Sequence, residues 1–288
     1  MNPRKMSMWV LAAAVTTALA GGEALADGKK GTAVIKGMCK FTGDKPKLTG
    51  VNMSADPNCK HDKPVPNPEL IVGKDGELPF VFVHIKSGIS EKYDAPKEPA
   101  HIDQNGCMYD PHVFGMIAGQ ALKITNSDDT AHNIHAAPKI NNEFNFGQPK
   151  KGMVTVREGK DTFKQPEVMI HIKCDVHPWM SAYVGVVTHP FFAVSSNEKD
   201  NRGKFEIKEL PAGSYELEAW HEKWGTVTQK VEIKDGETKE INFEFTKPGG
   251  GAKAAADRPA PRTVTLSTIG SGEATAAPAA CCEHEPTK

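Results

Sequence analysis

The sequence predicts an all-β protein, and three observations carry that expectation. Helix signals are scarce along the whole chain. After residue 30, short runs of β-branched and aromatic residues recur between clusters of Gly, Pro, Asn and Asp. Several of those runs alternate apolar with polar side chains, the period that turns one face of a strand toward a core. The 288 residues suffice for one to three domains with a real core. A net charge of −1 leaves no polybasic footprint for nucleic acid or an anionic membrane surface.

The first 26 residues read as an export signal rather than as part of the fold. Arg4 and Lys5 precede an apolar run over 8–20 that is too short to prefer spanning a bilayer, and Ala24-Leu25-Ala26 offers a small-x-small cleavage site. Cleavage after Ala26 places Asp27 first. No Cys follows for a lipid anchor, and there is no twin-Arg pair. No later stretch is long and apolar enough to span a membrane. The expectation is an exported, soluble, periplasmic protein.

Residues 27–187 form the first expected domain. A strand over 32–41 leads into a Pro/Lys/Asp-rich irregular stretch reaching about residue 75, and the next strand covers 80–85. Strands over 113–117 and 121–124 flank a Gly119-Gln120 turn; the turn cluster 126–130 runs into His132; and 137–152 reads as loop. Strands follow over 153–156, 168–173 and 183–187. In 168–173, Val168, Ile170 and Ile172 share one face and Met169, His171 and Lys173 the other. Cys174 continues the Ile170/Ile172 face and points inward, while His171 points outward. After 188 the texture changes to turn-and-strand units over 204–207, 215–220, 227–233 and 239–245, a second small β-sandwich over 188–246 that leans on the first. The Ala/Pro-rich remainder, 247–288, reads as disordered.

Export changes how the six cysteines are read, because spare thiols in an oxidising compartment tend to pair. Cys59 and Cys107, both in turn-rich segments, are the expected disulfide. Cys39 alternates in phase with Ala33, Ile35 and Phe41 and reads as a small buried hydrophobe. Cys281, Cys282 and His284 near the chain's end are read as incidental, as a crosslinking handle, or as a weak metal site. His61, His84, His101 and His112 lack ligand spacing and read as surface or satisfied histidines, and His189 and His221 of the second module read as strand-to-turn structural residues.

Chemistry concentrates in Cys174-Asp175-Val176-His177-Pro178-Trp179-Met180. A thiol, an imidazole and a thioether recur at every third position, and Ala131-His132-Asn133-Ile134-His135 supplies a second imidazole from His132 or His135. Two imidazoles, a thiolate and a weak thioether are the ligand set of a blue-copper electron-transfer site. Zinc would more often recruit further cysteines or carboxylates. Pro178 stiffens the loop, and Trp179 is placed to shield it from water.

Residues 76–187 resemble the cupredoxin family. His132-Asn133 resembles its first ligand motif, and Cys174 to Met180 is similar to the short ligand loop of the amicyanin-type members. The resemblance implies a Greek-key β-sandwich holding one type 1 copper, with His132, Cys174 and His177 as strong ligands, Met180 axial, and the exposed edge of His177 as the electron port. Residues 188–246 resemble the carboxypeptidase regulatory-like (transthyretin-like) fold through Gly203-Lys204-Phe205 and Leu210-Pro211-Ala212-Gly213-Ser214-Tyr215. Two departures stand out. His135 is an alternative ligand or a base beside the ligands, and the N-terminal extension exceeds what a minimal cupredoxin needs and is expected to cap one end of the sandwich. The expected function is electron transfer with redox partner proteins and no catalysis. Copper storage or delivery through His135 and the tail, and a structural, partner-binding role with incidental copper, are the alternatives. The sequence sets no oligomeric state.

Overall fold

Each alternating run becomes a strand in the computed structural model, which describes residues 28–247. The expected export signal, and Cys281, Cys282 and His284 of the tail, lie outside the described residues. In chain order the strands are β1 Ala33–Phe41, β2 Phe82–Ser87, β3 Ala100–Asn105, β4 Met108–Asp110, β5 Val113–Ile117, β6 Leu122–Asn126, β7 His132–Ala137, β8 Phe144–Gln148 and β9 Val154–Arg157. They continue with β10 Glu167–Lys173, β11 Ser181–Val187, β12 Phe192–Val194, β13 Lys204–Leu210, β14 Gly213–His221, β15 Gly225–Ile233, β16 Thr238–Glu240 and β17 Phe243–Phe245. Only short 3-10 turns interrupt them among the described residues, so the all-β expectation holds. No helix of the described residues is long and apolar enough to cross a membrane.

Two sheets, β5-β11-β10-β7-β8 and β4-β3-β6-β9, face each other. Their inner side chains mix in one core, with Met116, Ile134, Ile172 and Val184 from the first sheet against Ile102 and Ile124 from the second. A second pair of sheets, β13-β1-β16 with β17 also on β1, and β12-β2-β14-β15, encloses a separate core that includes Ile35, Phe205 and Phe243 opposite Val83, Leu217 and Ile233. Cys39 is fully buried in that core as a free thiol, as expected. Burial pushes its pKa far up, so it stays protonated and inert.

Strand pairing divides the chain differently from the expected cut between 187 and 188. β1 pairs antiparallel with β13 and parallel with β16 and β17, and β2 pairs with β12 and β14. The two N-terminal strands therefore complete the second sandwich. Alternation identifies a strand but does not choose its partner, and these partners lie at the far end of the described chain. The expected single strand over 239–245 is two short ones, bridged by Ile241 and Asn242, which lie against β1. Gly37 makes that approach possible, since a Cβ there would sit 1.7 Å from the Ile241 carbonyl oxygen. The sandwiches meet where Gly115 and Gly185, paired across β5 and β11, leave a bare patch filled by the rings of Phe192 and Phe82.

Candidate metal centre

Three elements deliver the ligand candidates. His132 opens β7, on the face that Ile134 and Ala136 bury, while Asn133 and His135 take the opposite face. Cys174 follows β10 on the Ile170/Ile172 face and is buried, whereas His171 on the other face donates to or accepts from the Ser181 hydroxyl at 2.8 Å. The loop then folds on itself. The Cys174 N–H donates to the Met180 carbonyl (3.2 Å), the Met180 N–H to the His177 carbonyl (2.9 Å), and the His177 N–H to the Cys174 sulfur (3.4 Å). His132, Cys174 and His177 bring their ligand atoms within 4.8 Å of one another. All three are 2 % exposed, and Met180 is fully buried in the same core.

Asn133 ties the loop to β7. Its Oδ1 accepts from the backbone N–H of Asp175 (2.7 Å) and Val176 (3.3 Å) and from the Cys174 thiol (3.3 Å), while Tyr109 donates to its carbonyl at 2.6 Å. Trp179 packs on the His177 ring, with centroids 4.9 Å apart, and donates its Nε1–H to the Cys107 carbonyl. Pro178 is exposed at the outside of the loop.

Two carboxylates complete the surroundings. Asp128 lies 2.9 Å from His132 Nε2, and its oxygens also accept from the N–H of Gly106 and Cys107, a turn with both residues at positive φ. Asp56 lies 3.0 Å from His177 Nε2 and accepts from Thr130 Oγ1 and the Asn58 N–H. An ionised carboxylate only accepts, so each Nε2 carries a proton and each Nδ1 is the nitrogen turned inward. The two Nδ1 atoms stand 2.8 Å apart beside the Cys174 sulfur.

The electrostatics agree. Burial works against charge on His132, but the Asp128 carboxylate and the Cys174 sulfur outweigh it and raise its pKa to about 9. Burial likewise works against a Cys174 thiolate, and His132 with the surrounding backbone N–H groups overcomes it, holding the thiol below its ordinary value. Without a cation, the two facing Nδ1 atoms and the Cys174 sulfur must share protons among themselves. That donor set suits a soft cation bound by two imidazoles and a thiolate.

His132, not His135, is the imidazole brought to Cys174. His135 faces out of β7, held at Nδ1 by Asp175 (3.0 Å) and at Nε2 by Glu143 (2.6 Å). Lys173, first, and then Asn145 and His135 hold the Asp175 carboxyl down at about 2. The expected Cys59–Cys107 disulfide is present. The expected port is not: His177 is buried, with its outer edge against Asp56 and Cys59. Sequence reading missed Asp56 and Asp128. Asp128 sits four residues before His132 in a turn, a usable signal; a lone Asp at position 56 carries none.

No family model matches the sequence, and no curated protein matches it. Among solved structures, the chain is similar to a purple cupredoxin from Nitrosopumilus maritimus (21 % identity, 30 % of this chain, 98 % of that one, TM-score 0.25). It is also similar to a point mutant of amicyanin in its Cu(I) form (20 % identity, 36 % and 97 %, TM-score 0.26). A third match is a copper-containing nitrite reductase from Thermus scotoductus SA-01 (20 % identity, TM-score 0.26), where the match covers 35 % of this chain and 24 % of the reductase. These overlaps are slight, and the chemistry of the centre rests on the side chains described above.

Proposed function

We propose that the chain is an exported, periplasmic electron carrier of the cupredoxin type, holding one copper with His132, Cys174 and His177 as strong ligands and Met180 as the weak axial one. The observation that carries this reading is the pair of inward Nδ1 atoms, set by Asp128 and Asp56 at the opposite nitrogens and standing 2.8 Å apart beside the buried Cys174 sulfur. When bound there, copper supplies a one-electron couple. The protein's part is to hold those donors rigidly: the Asn133 bonds and the Cys174–Met180 backbone bond fix the loop, so little has to rearrange between oxidation states. The ligands are buried and leave no open position for a substrate, which favours electron exchange with redox partners over catalysis. Burial also disfavours rapid metal hand-over, and His135, one of the extra ligands a storage role would use, is held by carboxylates on the other face.

The test is spectroscopic. The Cu(II)-loaded protein is expected to absorb intensely in the visible through thiolate-to-copper charge transfer, and Cys174→Ser to abolish the band. A colourless Cu(II) form with metal still bound to the wild type would overturn the proposal.

A further inference from the structure

We propose that the loop over residues 50–66 is a tethered cap that closes the His177 edge of the metal centre, with Asp56 as its positioning residue and the Cys59–Cys107 bond as its anchor. The meaning given to the closed edge rests on the electron-transfer reading above. The loop is closed at its base, where Gly50 bridges Pro66 and the Val51 N–H donates to the Val65 carbonyl. Its tip, the turn Pro57–Cys59, reaches the metal centre. There Asp56 Oδ2 meets His177 Nε2 at 3.0 Å and Cys59 Sγ lies 3.9 Å from the same nitrogen, contacts between residues more than a hundred positions apart. Asp56 also takes the Thr130 hydroxyl (3.0 Å), which ties the tip to the turn ahead of His132.

Beyond these anchors the loop is held by the His61 ring on the Gly106 carbonyl (2.8 Å) and by Val51 and Val65, half-buried at its base. Within 51–65 only Met53 and Cys59 are buried, and a cleft of about 440 Å³ opens along Met53, Asp56, Cys59, His61 and Val65. A segment with so few buried apolar contacts sits at the low end of local stability, so its anchors decide whether it stays closed. The covalent anchor reaches the same centre from two sides: Cys59 lies at His177, and Cys107 shares its turn with the Asp128 contacts to His132. The anchors therefore position both imidazoles and keep one of them from solvent and partners.

The experiment compares wild type, Cys59→Ser/Cys107→Ser, Asp56→Ala and Asp56→Asn. In metal-free protein, imidazole labelling by diethylpyrocarbonate is followed per residue by peptide mass spectrometry, with exposed His101 as reference. His177 is expected to be nearly unlabelled in wild type and in Asp56→Asn, whose amide oxygen still accepts from Nε2. It is expected to label about tenfold faster in the double serine variant and in Asp56→Ala. In copper-loaded protein the same two variants are expected to exchange electrons faster with hexaammineruthenium. The cap is refuted if His177 labels as fast as His101 in wild type, or stays protected in both opened variants. Asp56→Ala keeps the disulfide and decides the question should the double variant fail to fold. Absence of the visible band in wild type would refute the copper reading alone, because labelling needs no metal.

Discussion

At the residue scale, Asn133 shows how one side chain organises a centre it does not ligate. Its Oδ1 gathers two backbone N–H groups and a thiol, and its Nδ2 reaches Asn145 (2.8 Å) and Asp175 (3.3 Å). Asn133→Ala strands the buried Cys174 thiol and the partly buried N–H of Asp175, and frees the loop that carries Cys174. A buried donor left unpaired costs about 1–3 kcal/mol. Urea unfolding of metal-free Asn133→Ala is therefore expected to show a loss of about that size. The choice between His132 and His135 is also legible at this scale. The alternation that turns Cys174 inward in β10 applies equally to β7, where Ile134 and Ala136 share a face with His132. His135 falls on the other face and meets Asp175 and Glu143 instead.

At the scale of elements, the strands themselves are readable and their partners are not. The runs over 113–117, 168–173 and 183–187 declare strands by period, and β5, β10 and β11 match them closely. The turn formers Asn141, Asn142 and Gly147 hide β8, although Phe144, Phe146 and Gln148 keep the period. β1 gives no hint of its role. It is the middle strand of its sheet, flanked by β13 on one side and by β16 and β17 on the other, and it sends Ala33, Ile35, Cys39 and Phe41 into the second core. Residues 188–247 expressed alone would lack that strand and β2, exposing edges and half of a core. Such a fragment is expected to be unfolded by circular dichroism and amide exchange. A fragment with 28–90 joined ahead of it through a flexible linker is expected to fold, and a well-folded 188–247 fragment would contradict the pairing.

At the scale of the whole molecule, the near-zero net charge means that acid response is set by individual buried groups more than by general repulsion. His221 is the clearest. It ends β14, is 1 % exposed against Trp224 and Phe245, and its Nδ1 accepts the Lys223 N–H, so a second proton would break that bond. Burial lowers its pKa to about 3, against an ordinary 6.5. Burial also lowers His189, whose Nε2 meets the Ile85 carbonyl. The folded protein resists protonating both rings, His221 down to about 3, while the unfolded chain takes up protons below about 6.5. The stability they contribute is thus complete above pH 6.5 and is lost as pH falls toward their folded values. For His221 alone the slope is about 1.4 kcal/mol per pH unit, or roughly 2 kcal/mol between pH 7 and pH 5. Glu218 adds to the loss further down: His84 first, against the cost of burial and with help from Lys86, holds its carboxyl low, so its share is present above the usual carboxylate pKa and fades below it. Guanidinium unfolding of the metal-free protein is expected to show that decline from pH 7 to 5, reduced by the opposite-signed share of His132, whose raised pKa adds stability as pH falls. His221→Gln is expected to flatten it whatever it does to stability at pH 7, and an unchanged slope in that variant would remove His221 as the cause.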